Sequence, residues 1–170
     1  LPKVKVHLYE VDPVNGLAAP DGRIFITRGF YNKYKLDEVS AEEIASVIAH
    51  ELGHIALGHA KRRMIDFSSQ NAVRAALGML LGRIIPGLGN WVATILANLL
   101  MAKLSRADEY EADEFASALL NKSGIGTGPQ ISLFEKLEAL SGQTGQLPAW
   151  MLSHPKTEDR IAAIKACNPG

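Results

Sequence analysis

A capping box that opens an apolar-periodic run commits the middle of this chain to a helix. Ser40 stands three residues before Glu43. At that spacing the serine side chain takes the N3 amide and the N3 carboxylate returns to the N-cap amide. Ile44, Val47, Ile48, Leu52 and Ile55 follow at helical intervals, so one face of the helix is apolar and seeks a core. The helix is expected to run to about Met64.

The residues before it read as β. Lys3 to Val11 is Val-rich and alternating, and Arg23 to Thr27 is a second strand after the Asp21-Gly22 turn signal. Helical signals dominate after Ser40. A helix is expected from near Trp91 through Ser105 to Leu120, a short one over Gln130–Leu140, and a last one over Thr157–Ala166. A small N-terminal β-element followed by helices gives an α+β, mostly helical chain. Its 170 residues suit a single domain, 1–170. Lys and Arg together number 18 and so do Asp and Glu, so no global charge recruits nucleic acid. The one cysteine, Cys167, excludes an internal disulfide framework. No signal-peptide pattern opens the chain, which decides nothing about targeting.

The chemistry concentrates in His50-Glu51-Leu52-Gly53-His54. Histidines four apart on a helix project about 40° from one another, so both imidazoles reach one tetrahedral ion. Glu51 beside them is placed to take a proton from a water activated by that ion. A catalytic zinc keeps three protein ligands and one open position. His59 is nine residues after His50 and, on a continuous helix, points to the opposite side. It is read as a structural histidine. Glu109 is the favoured third ligand, with Asp113 one turn later to accept a hydrogen bond from a ligand histidine. Glu111 is the competitor for the third position.

Four stretches in order carry a resemblance. They are Asn15-Gly16-Leu17-Ala18 with Gly22 to Gly29, His50 to His59, Ser105-Arg106 to Asp113, and His154-Pro155 with Arg160-Ile161. Together they resemble the zinc metallopeptidases that include the HtpX heat-shock protease, the CAAX prenyl endopeptidases and the periplasmic BepA protease. The resemblance implies a zincin-like fold and one Zn2+ per chain held by His50, His54 and Glu109. It implies Glu51 as base and Asp113 as outer support. It also suggests His154 near the scissile carbonyl; an imidazole on a loop beside Gly- and Pro-rich sequence is read as an oxyanion donor or as a resting-state occupant of the fourth zinc position. Asn15 and Arg23, Ile24, Phe25 and Ile26 are expected along the substrate, with Arg160 as an alternative oxyanion donor. The Arg23–Thr27 strand is expected to offer an exposed edge to an extended polypeptide. Unfolded or extended polypeptides are the implied substrates, and the bacterial envelope, periplasmic or membrane-associated, is the implied compartment. The alternative class is a catalytically silent zinc-binding interaction domain.

Between the two metal motifs, about 72–104, lies an apolar stretch interrupted by Arg83, Pro86 and Asn90. A membrane span needs about 20 uninterrupted apolar residues. The stretch is therefore read as a helical insert that covers the site or rests on a membrane surface. Oligomeric state is not readable from the chain.

Overall fold

The structure, a computed structural model, describes residues 4–19, 21–59, 61–62, 71–72, 75, 79, 89–144, 148–154 and 158–167, with the side chains of 89–104 and 143–144 left aside. Three strands, β1 (Val6–Tyr9), β2 (Gly16–Ala18) and β3 (Ile24–Thr27), form one sheet in the order β1-β3-β2. β1 runs parallel to β3 with Val6 opposite Ile24. β2 runs antiparallel to β3 with Gly16 opposite Ile26. The edge expected of Arg23–Thr27 is therefore corrected. β3 is the interior strand, and its backbone is paired on both sides over Ile24–Ile26. Ile24 and Ile26, expected along the substrate, are 0% and 5% exposed and belong to the core.

β3 passes directly into α1 (Arg28–Lys35), because Thr27 ends the strand and caps the helix at once. Its Oγ1 accepts from the Phe30 amide at 3.3 Å and donates to the Asn15 carbonyl at 3.0 Å. α2 (Ala41–Ala56) opens on the Ser40–Glu43 capping box, both halves of which are formed. It stops well before Met64. The Leu57 amide returns to the Gly53 carbonyl, and Gly58 takes φ +67°, the left-handed geometry that ends helices at low cost only for glycine. Residues 59, 61 and 62 are helical again.

α3 (Gly89–Lys122), α4 (Gly128–Thr144), α5 (Ala149–Ser153) and α6 (Glu158–Ala166) complete the described elements. One core joins Ile26, Phe30 and Val47 to Leu133, Phe134 and Leu137 of α4, Trp150 and Met151 of α5, and Ile164 of α6. Each fully buried side chain of this size contributes about 1.5–3 kcal/mol relative to exposure.

The chain packs as two compact units, Leu1–Leu57 with Tyr110–Gly170, and Gly58–Glu109. In the second, Arg62 Nη1 donates to Asp108 Oδ1 at 3.2 Å, and His59 is 1% exposed with Nε2 3.9 Å from the same oxygen. Of the apolar insert, 72–104, the stretch 89–104 is the first part of α3, residues 72, 75 and 79 are described singly, and the rest lies outside the described residues. Among the described residues no helix is long and apolar enough to cross a membrane.

Candidate metal centre

α2 turns His50, Glu51 and His54 inward, and all three are buried. One helical turn brings His54 Nε2 to 3.1 Å from His50 Nε2. A third imidazole arrives from α5. His154 caps that helix, its amide bonded to the Trp150 carbonyl at 2.8 Å. Its Nδ1 lies 3.3 Å from His50 Nε2 and its Nε2 lies 3.2 Å from Glu51 Oε1. That last approach is close but not aligned as a hydrogen bond, and Glu51 Oε1 is a buried oxygen with no hydrogen-bond partner among the described residues. His50, His54 and His154 each bring a ring nitrogen within 4.8 Å of the others.

Trp150 sets this geometry from beneath. Its ring centroid is 5.8 Å from that of His50, 5.4 Å from His154 and 5.3 Å from Phe134. Its amide donates to the Val14 carbonyl at 3.1 Å, tying α5 to the segment before β2. α5 therefore carries His154 to the paired histidines because Trp150 and Met151 are core residues.

α3 approaches α2 backbone to backbone. A Cβ on Gly53 would meet Ala112 Cα and O, each at 2.9 Å. The glycine between the two histidines thus admits the neighbouring helix, and the next residue on it, Asp113, reaches His50. Asp113 Oδ1 lies 2.8 Å from His50 Nδ1. Burial pushes the Asp113 carboxyl up, but hydrogen bonds from His50 and Arg160, and their charges, outweigh it and hold the group below the usual carboxylate range. An ionised Asp113 only accepts, so Nδ1 of His50 carries a proton toward it, and Nε2 faces the other two histidines.

The remaining expected residues fall as follows. Glu109 is 3% exposed and lies one turn before Asp113 on α3. Arg160, expected on the substrate side, is 2% exposed and bonded to both oxygens of Asp113. Two of its guanidinium nitrogens, Nε and Nη2, are thus directed at a buried carboxylate. The Asn15 backbone is bonded to Thr27, and its Oδ1 is buried without a hydrogen-bond partner among the described residues. Arg23 is exposed, with Nε 2.7 Å from Asp21 Oδ2 and its guanidinium 5.2 Å from the Phe25 ring centroid. Trp150 and the close approach at Gly53 were missed in the sequence. A glycine inside an otherwise apolar-periodic helix was the available signal for the second.

The donor set fits a divalent cation of zinc type. Imidazole nitrogens converge in a buried place, one with its tautomer fixed from outside, beside a carboxylate oxygen without a hydrogen-bond partner among the described residues. An α+β chain with such a helix defines the zincin class. Residues 2–168 match the model of peptidase family M48, and the chain belongs to that family. It is 32% identical over 162 residues to Metalloprotease YcaL of Escherichia coli (strain K12), covering 95% of this chain and 61% of that protein. It is 31% identical over 163 residues to Metalloprotease LoiP of the same strain, covering 95% and 62%. With Protease HtpX of Pseudomonas aeruginosa (strain LESB58) the identity is 28% over 185 aligned positions, covering 86% and 59%. The chain thus spans about three fifths of the length of these relatives. The resemblance carried by the four motifs and the α+β fold class both hold.

Proposed function

We propose that the chain is a zinc-dependent endopeptidase with one zinc held by His50, His54 and Glu109. The observation that carries this reading is the buried convergence of His50 and His54 Nε2, with Glu51 Oε1 3.2 Å from His154 Nε2 and without a hydrogen-bond partner among the described residues. Glu109 is assigned as third ligand because it is buried and shares a helical face with Asp113, which is bonded to His50. Glu111 lies two residues from each of them, about 200° round the helix, on the other face.

Bound zinc supplies Lewis acidity, which polarises a peptide carbonyl and brings the pKa of water toward ~7. Glu51 takes the proton as the water oxygen bonds to the carbonyl carbon. It then delivers that proton to the nitrogen as the C–N bond breaks. Asp113 holds the tautomer of His50 throughout. His154 covers the His50–His54 pair in the substrate-free chain; once substrate displaces it, its imidazole donates to the developing oxyanion. Extended or unfolded polypeptides are the proposed substrates. With β3 interior, an added strand pairs with an outer strand, β1 or β2. Similarity to proteases such as HtpX supports extending the proposal to a role in the bacterial envelope, in protein quality control.

One observation favours a second reading. His154 Nδ1 stands 3.3 Å from His50 Nε2, and a fourth protein ligand closes a structural zinc site. Such a site has no use for a buried carboxylate at Glu51. Metal analysis and cleavage of unfolded casein, with and without chelator, separate the two. Wild type is expected to hold zinc and to lose cleavage with it. Glu51→Gln is expected to keep zinc while cleavage falls at least ~10²-fold. Zinc without cleavage in wild type favours the silent domain, and wild-type rates in Glu51→Gln remove the base.

A further inference from the structure

Arg160 comes from α6, yet its guanidinium is packed into the wall behind His50. Nε donates to Asp113 Oδ2 at 2.6 Å and Nη2 donates to Oδ1 at 2.9 Å. The guanidinium carbon lies 5.1 Å from the Phe134 ring centroid, so the fork is held between a carboxylate and an aromatic face. Oδ1 of the same carboxylate lies 2.8 Å from His50 Nδ1.

We propose that Arg160 is a positioning residue of the metal centre, fixing His50 through Asp113 rather than acting on substrate. This rests on the zinc-hydrolase reading. The reasoning is geometric. A carboxylate on a single Cβ–Cγ bond rotates readily, and one hydrogen bond to an imidazole does not fix its plane. Two parallel bonds from a planar fork do. With the plane fixed, one lone pair of Oδ1 faces Arg160 and the other faces His50. His50 then keeps Nδ1–H toward Asp113 and Nε2 toward His54 and His154. Three helices are locked in series, α6 to α3 to α2, so a residue 47 positions after Asp113 sets the aim of the first histidine of the motif. Lysine brings the charge to this place but not the fork.

The test compares wild type, Arg160→Met, Arg160→Lys, Asp113→Asn and the double variant Asp113→Asn/Arg160→Met. Zinc affinity is read by competition with a chromophoric chelator, kcat and KM on a casein peptide, and the His50 Nδ1–H proton by downfield NMR of the metal-free protein. Arg160→Met is expected to lose about 10-fold or more in zinc affinity with KM unchanged. In the Asp113→Asn background the same change is expected to cost less than about 2-fold. Arg160→Lys is expected to fold with an intermediate zinc affinity and a shifted or broadened Nδ1–H signal. If Arg160→Met fails to fold, Arg160→Lys and the NMR signal decide. Unchanged zinc affinity with a kcat or KM defect that persists in Asp113→Asn overturns the proposal in favour of a substrate-facing arginine. An Arg160→Lys variant identical to wild type in zinc affinity and NMR overturns the fork. Wild type that takes no zinc removes the hydrolase reading itself, whereas zinc-binding wild type with unaffected variants removes only the role of Arg160.

Discussion

Glu43 at the start of α2 and Asp113 beside its later turns are both 3% exposed, and each meets a cation from a later helix. Their surroundings differ in where the hydrogen bonds lead. Glu43 accepts from the Ser40 amide at 2.7 Å, from Ser132 Oγ at 2.7 Å and from Lys136 Nζ at 2.8 Å. Those bonds close a helix cap and tie α2 to α4, and they stop there. Asp113 accepts from Arg160 and passes its remaining contact to His50, whose other nitrogen faces two more histidines. Lys136 keeps 43% of its side-chain surface in solvent while Arg160 keeps 2%. A buried carboxylate paired with a cation is thus not in itself a sign of chemistry. The group that receives the next hydrogen bond decides.

The comparison is broken most directly at Asp113. Asp113→Asn replaces one of two acceptor oxygens by a donating NH2, so the side chain cannot accept from both His50 and the full Arg160 fork, and zinc affinity is expected to drop about 10–100-fold. Unchanged affinity in a chelator competition would make the two ends of α2 equivalent. Glu43→Gln is expected to do the reverse, losing about 1–2 kcal/mol in urea unfolding with zinc affinity unaltered. The acid range sharpens this further. Burial raises the Glu43 carboxyl, but hydrogen bonds from Lys136, Ser40 and Ser132 outweigh it and hold the group below its ordinary value. Its stabilisation is therefore present above the unfolded value near ~4.3 and lost as pH falls through the folded one. Urea titrations at successive pH values should show the gap between wild type and Glu43→Gln constant from pH 7 to about 5 and shrinking below about pH 4. A gap that widens in acid would contradict the assignment.

How much of this was legible in the chain follows the range of the forces involved. The start of α2 was readable because a capping box is local, and β3 because Ile24, Phe25 and Ile26 sit together after a turn signal. β2 was not readable, being three residues that begin on Gly16 and pair only because β3 is beside them. α1 was hidden because Thr27 both ends a strand and caps a helix, leaving no break to read. α5 is five residues held in place by Trp150 and Met151 in the core, a tertiary cause with no local signature. The histidines of the motif could be named from spacing alone. The direction of Arg160 could not, because its partner lies on another helix and nothing local chooses between carboxylate and substrate.

The smallest expected effect belongs to Lys136, and it tests the comparison where the two cations differ. Lys136→Met removes one donor from Glu43 but leaves the Ser40 amide and Ser132 Oγ in place. The ammonium stands partly in water, so solvent screens the pair and takes over the vacated acceptor. The loss is expected to stay below about 1 kcal/mol in urea unfolding. It should shrink as salt rises toward ~1 M, where the screening length falls to ~3 Å. Zinc affinity should not move. A salt-independent loss as large as that of Glu43→Gln would mean that Lys136 is held as tightly as Arg160. Partial exposure of the cation would then no longer separate a cap that stabilises a helix from a clamp that aims a ligand.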